Sequence, residues 1–230
     1  MKKLTVHSEV TYLFSIILLA FAVAMLSAAD FGVSMIVAPA YIFAQAIGIT
    51  FGQAEYVIQA VLFIVFCIVV KKFKWIYLSS FLTCLIYGAV LDLWRLIPFF
   101  NPGITPPGSM ELWVRIVMFV VGLVLTSFSI ALCFKAYFYP QVYDFFVKGV
   151  SEKYKLKRPV FKTFFDLCFL AIGTVMTLAI FGKFVGVWFG TLIIALVNGT
   201  LIGVFGKLLD KFTDSPPIFA KISRYFEFFE

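Results

Sequence analysis

The sequence predicts an all-α integral membrane protein in which six transmembrane helices form two inverted three-helix repeats. Three observations carry that expectation. The chain is 63% hydrophobic and only 13% charged over 230 residues, with mean hydropathy +1.04, which leaves too little polar surface to clothe a soluble domain. Its charged residues collect between long uncharged runs, the spacing of spans and loops. Those runs also fall into two halves of matching layout. Each half has a long helix, a proline-centred broken segment, a second helix, a tight basic turn and a third helix.

The first run, 10–28, follows basic Lys2 and Lys3 and ends on small residues at Ser27 to Ala29. That order resembles a signal peptide, but the apolar stretch is long enough for a full span, and an uncleaved first helix is expected. "DFGVSMIVAPAYIFAQAIGITFGQAE" comes next, apolar in its middle yet centred on Pro39 and punctuated by Gly32, Gly48 and Gly52. It is expected to dip into the membrane at 30–50, or lie at its surface, without crossing. Runs 54–70 and 75–94 complete a first repeat over 1–97, and 98–112 forms an external linker. The second repeat, 113–210, holds runs 113–134, 163–182 and 184–206, with a broken segment at 136–150 around Pro140. Each of the six runs suits a hydrocarbon core that needs roughly 17–25 helical residues. All must be helical, because lipid offers free backbone groups no partner.

Charge orients the chain. With the N-terminus cytoplasmic, sixteen Lys and Arg fall inside and only Arg95, Arg115 and Lys183 outside, the asymmetry of a positive-inside protein. If 33–49 crossed alone, five would lie inside and fourteen outside, which the rule rejects. If 136–147 crossed as well, fourteen and five would result, so eight spans with parallel repeats is the alternative. Length favours six: at ~1.5 Å per residue, the stretch between Lys135 and Lys148 reaches only ~18 Å. Both termini are then cytoplasmic, in a cell membrane that for a bacterium is the inner one.

Placing Pro39 on Pro140 aligns the broken segments, and "SSFLTCLIYG" (Ser79 to Gly88) on "GTLIIALVNG" (Gly190 to Gly199) aligns the third helices. Three crossings per half invert the second half. In secondary transporters such repeats bring broken helices to a site near the midplane. The alternative is that these prolines and glycines only punctuate interfacial loops.

Among polar residues, Asp166 is expected to be the one acid inside a span, where an ionisable group is a functional candidate. Lys162 stands one turn before it, so a boundary ion pair is the competing reading. Gln59 and Asn198 are candidates because an amide left in lipid is expensive. Gln45, Tyr143 and Asp144 join Pro39 and Pro140 as the expected surroundings of a substrate or ion. Ala20, Ala24 and Ala28 make a small-residue stripe on the first helix, read either as internal packing or as a docking face for a partner subunit or second copy. The tail, 211–230, puts Ile218, Phe219, Ile222, Tyr225, Phe226 and Phe229 on one face, as in an interfacial amphipathic helix. The basic "KGVSEKYKLKRPVFK" is expected to lie against anionic headgroups of the bilayer, with no nucleic acid involved.

These features together resemble the YczE/YyaS/YitT-type family of bacterial multi-pass membrane proteins. The likeness rests on "GVSMIVAPAYIFAQAIGITFG", "YFYPQVYDFFVKGVSEKYKLK", the Asp166 helix "VFKTFFDLCFLAIGT" and the closing "GTLIIALVNGTLIG". It covers roughly 10–210 and implies a membrane fold with a duplicated unit, not an established activity. The family's succession of Pro, aromatic and Asp is interrupted here, since Gln141 and Val142 separate Pro140 from Tyr143 and Asp144.

No Walker loop, G-x-S-x-G or H-E-x-x-H is present. The four cysteines lack metal-site or disulfide spacing, and the single His7 precedes the first span. No enzyme activity, metal or cofactor is expected. The leading reading is a secondary transporter or permease for a small solute. The other is an accessory membrane component that binds a partner or substrate and moves nothing itself.

Overall fold

The computed structural model describes residues 4–71, 73–138 and 141–218, so Pro140 and residues 219–230 of the expected tail helix lie outside the described residues. Within them the chain forms eight α-helices: α1 (Ser8–Ala29), α2 (Ala38–Ile47), α3 (Phe51–Val70), α4 (Leu78–Trp94), α5 (Leu112–Lys135), α6 (Val142–Lys153), α7 (Arg158–Phe181) and α8 (Phe189–Phe212). Six are long and apolar enough to cross a membrane, α4 counting with the 3-10 turn before it. The ten residues of α2 and twelve of α6 rise only ~15–18 Å and fall short of a span.

Local chemistry sets these boundaries. α1 stops where Asp30 turns left-handed at φ 56°. α2 opens with Pro39 in its first turn and closes on Gly48 at φ 72°, a conformation glycine adopts without strain. α3 starts from a capping box in which Thr50 Oγ1 accepts from the Gln53 N–H and Gln53 Oε1 accepts from the Thr50 N–H, both at 3.1 Å.

The last helix departs from expectation. Rather than running 184–206, it begins at Phe189 and ends at Phe212. The linker before it is held in a loop by Gly182 and Gly186 at positive φ and by Thr177, whose Oγ1 accepts from the Val185 N–H at 2.8 Å. The helix also takes up Lys211 and Phe212, the start of the expected amphipathic tail. After it, Thr213–Asp214 pairs in parallel with Leu4–Thr5.

α1 is the centre of the packing, lying along α5 and flanked by α4, while α8 flanks α5 in turn. Gly122 of α5 sits where an added Cβ would lie 3.0 Å from Leu26 and 3.2 Å from the Ala22 carbonyl. Ala20, Ala24 and Ala28 are buried within this packing. α1 and α4 run in the same direction, with Tyr12 bonded to Thr83 near their starts and the Trp94 indole N–H donating to the Ile17 carbonyl at 3.3 Å. α5 and α8 also run together, joined by Ser127 to Asn198 at 2.7 Å and Lys135 to Asp210 at 3.2 Å.

Arg115 clamps the end of α1 to the start of α5. Its Nε donates to the Ala29 carbonyl at 2.8 Å and Nη2 to the Asp30 carbonyl at 3.1 Å, while its guanidinium lies over the Phe31 ring. Burial pushes the Asp30 carboxyl above its ordinary range, and the Arg115 charge pulls it back. Arg115→Met is expected to cost about 2 kcal/mol of stability, the scale of charge-assisted hydrogen bonds to two carbonyls, measured by unfolding in detergent.

The two short helices, α2 and α6, pack against long helices of the opposite half of the chain. Beyond Lys135 the chain reaches Gln141, which accepts from Gln59 midway along α3. α6 then runs back until Lys153 donates to the Val69 and Val70 carbonyls at the end of α3. In the other half Ala38 and Ile42 of α2 pack at 3.5 and 3.6 Å from the Cβ position of Gly173 on α7. Thus α6 packs on α3 and α2 on α7.

Candidate functional site

The two halves differ where α8 meets α7. α3 and α4 pack closely, but α7 and α8 make no comparable contact. A cavity of about 740 Å³ stands between α8 and α5 on one side and α6 and α7 on the other, with Ser34 to Ile36 just ahead of α2 also in its lining. That volume suits a small organic solute.

One wall carries an ion cluster. Lys162 of α7 reaches Asp144 of α6 at 3.1 Å and Asp166 on its own helix at 3.4 Å. The expected pair of Asp166 with Lys162 is therefore present, and Asp144 makes it a triad that ties α6 to α7. Asp144 also falls in the first turn of α6, where a carboxylate suits the helix dipole. Asn198 faces this wall from α8, accepting from the Ser127 hydroxyl at 2.7 Å. Lys148 of α6, Arg158 and Thr163 of α7 and Ser34 add further polar and basic groups, and the rest of the lining is apolar and aromatic, with Ile130, Phe134 and Ile194 among the contributors.

The remaining expected residues divide. Pro39 is buried in the first turn of α2, and Gln45 is exposed near its end; neither lines the cavity. Gln59 and Tyr143 belong to a second, sealed cluster. The Gln59 amide donates to Glu55 Oε2 at 2.9 Å and to Gln141 Oε1 at 3.3 Å, while its own Oε1 accepts the Val142 N–H at 3.1 Å. Gln59 so caps the start of α6, meeting one of the orphan N–H groups every helix start carries. The Tyr143 hydroxyl donates to Glu55 Oε2 at 3.0 Å. Glu55 and Gln59 are both fully buried at 0% exposure.

Glu55 overturns the expectation that Asp166 is the one acid within a span. It lies in the second turn of α3, and Asp92 lies in α4, where it accepts from the Gly52 N–H at 2.9 Å and from Thr50 Oγ1 at 2.5 Å. The signal was in the sequence. Glu55 and Gln59 stand one turn apart on one face of a run that otherwise reads "AEYVIQAVLFIVFCIVV", so two polar groups had to be buried together.

Among the described residues no group of three or more His, Cys, Asp or Glu could hold a metal ion. A family model described as a family of unknown function (DUF6198) matches residues 6–207. No curated protein and no solved structure matches the chain.

Proposed function

Because the chain belongs to this family of unknown function, DUF6198, its activity has to be read from its own geometry, and we propose that it is a secondary transporter for a small polar solute. The cavity beside Asp144, Lys162, Asp166 and Asn198 is the binding site. The single observation that carries the reading is the difference between the halves. In the first half Gly52 and Gly88 let α3 and α4 touch, and a Cβ at Gly52 would overlap the Gly88 carbonyl. Aligning Ser79–Gly88 on Gly190–Gly199 and keeping the same spacing places Thr163 opposite Gly52 and Gly199 opposite Gly88. Both of these counterparts line the open cavity, and nothing lies within 4 Å of a Cβ at Gly199. One half is thus shut where the other is open, as alternating access requires of two inverted repeats.

The parallel pairs α1–α4 and α5–α8, and the exchange of α3–α6 for α2–α7, support the inverted arrangement. In this scheme both termini and the basic 148–162 stretch are cytoplasmic, against anionic headgroups. Kinship with the YczE/YyaS/YitT-type proteins is part of the same proposal. The accessory reading is the weaker, since the alanine stripe it relied on is enclosed.

Accessibility tests it. In a protein whose natural cysteines are replaced, Asn198→Cys is expected to react with a membrane-impermeant maleimide from both sides of the membrane. Reaction from one side alone would leave a static pocket and remove the transport reading.

A further inference from the structure

Glu55 is the acid that the cavity does not use. Its carboxyl is fully enclosed among α3, α4 and α6, with two neutral donors on Oε2. Oε1 is buried without a hydrogen-bond partner, and so is Nε2 of Gln141 beside it. Among the described residues no Lys, Arg or His stands within ion-pair distance. Its surroundings are instead neutral acids of the weakest kind. Tyr143 faces it from α6. Cys84 and Tyr87 face it from α4, the Cys84 thiol 3.8 Å from the Glu55 carbonyl. From α2 the nearest titratable group is Tyr41, packed on the Phe51 ring. The charged groups at this end, Asp92 and Arg95, engage the first turn of α3, Asp92 through Thr50 and Gly52 and Arg95 over the Phe51 ring.

We propose that Glu55 is a proton-binding site, and that its protonation holds the re-entrant helix α6 against α3 while its ionisation releases it. A carboxylate sealed from water with one oxygen unmet is costly, whereas the neutral acid is cheap to bury. The proton is taken up from water when α6 stands away and the carboxyl is hydrated, and it is enclosed when Tyr143 and Gln59 close over the group. The sign follows by linkage. Closure favours the protonated form, so the α3–α6 contact is fully formed at low pH and is lost progressively as pH rises from the ordinary carboxylate range through the point where the sealed acid ionises. Tyr143 is followed directly by Asp144, so a displacement of α6 also moves the partner of Lys162 on the cavity wall. The proton site is thereby coupled to the solute site. The coupling rests on the transport reading; proton binding and the release of α6 do not.

Hydrogen–deuterium exchange of residues 142–153 in the full-length protein in detergent tests this, with rates corrected for the intrinsic effect of pH. In the wild type, protection of α6 is expected to fall about tenfold for each unit of pH from the ordinary carboxylate range up to a transition at the ionisation of the sealed acid, and to level off above it, as one-proton linkage requires. Glu55→Gln, which carries a neutral side chain of the same shape, is expected to keep α6 protected across the range. Tyr143→Phe removes a donor to the carboxylate and is expected to move the transition to higher pH. Protection that is flat with pH in the wild type, or a pH-dependent loss that survives in Glu55→Gln, overturns the proposal. So does a transition unmoved by Tyr143→Phe, an arm that holds should Glu55→Gln fail to fold. None of these readouts depends on a solute, so failure here leaves the two-sided labelling of Asn198→Cys to be decided separately.

Discussion

Gly52→Ala is expected to destabilise the protein by about 3 kcal/mol, at the upper end of what an overfilled contact costs, while Gly199→Ala leaves stability unchanged or slightly raised. The two glycines stand in helices of equal apolar character, yet their surroundings are opposite. A Cβ on Gly52 would strike the Gly88 carbonyl and, at 2.6 Å, the Asp92 carboxylate that caps the same turn. Neither can yield without parting α3 from α4, because one is backbone and the other is held by Thr50 and the Gly52 N–H. At Gly199 there is nothing within 4 Å to meet, and replacing glycine within a helix gains up to about 1 kcal/mol of propensity. Unfolding of the two variants in mixed micelles measures the difference directly. Equal penalties would mean that α8 spends its time packed on α7 as α4 is packed on α3, and that the cavity is shut in the protein's usual state.

Gln59→Leu is expected to cost about 3 kcal/mol, since three polar groups lose a partner at once and buried unmet groups cost about 1–3 kcal/mol each. The Val142 N–H loses its acceptor, Glu55 keeps only the Tyr143 hydroxyl, and Gln141 loses its donor. Leucine fills a similar volume, so little of the loss comes from packing. Asn198→Leu is the comparison: it breaks a single bond to Ser127 and faces the cavity, so its cost should fall well below that of Gln59→Leu in the same unfolding experiment. Equal costs would show that the amide of Gln59 does not organise the start of α6.

The membrane architecture was legible because lipid leaves so few options. The run 113–134 lies within one residue of α5 at each end, and 75–94 coincides with α4 and the 3-10 turn before it, since hydropathy and charge mark both edges. α8 was placed too early because Phe184 to Trp188 is as apolar as a span; only Gly182, Gly186 and the Thr177 hydroxyl keep it out of the helix. Asp144, Asp166 and Asn198 were picked out by polarity alone and do meet at one cavity. Their joint partner Lys162 was seen only as a neighbour of Asp166, because its reach to α6 is a tertiary contact with no spacing signature. Glu55 was passed over through its place at the edge of a run, where an acid resembles loop punctuation. Gln45 looked equivalent to Gln59 on a list of amides, and which of the two faces inward depends on how α2 seats against α7.

The deep enclosure of α1 has a consequence for biogenesis. Earliest in chain order of the six long helices, it has the largest buried share, 67% of its apolar window, whereas α8, the latest of the six, has 6%. Its permanent neighbour α5 does not exist until some eighty residues later in synthesis, so α1 must wait in the translocon or in bare lipid. It is partly equipped to do so: the hydroxyls of Thr11, Ser15 and Ser27 donate back to carbonyls one turn earlier, at 3.1, 2.7 and 2.8 Å, and need no partner from a later helix, whereas the Tyr12 hydroxyl meets Thr83 only once α4 is made.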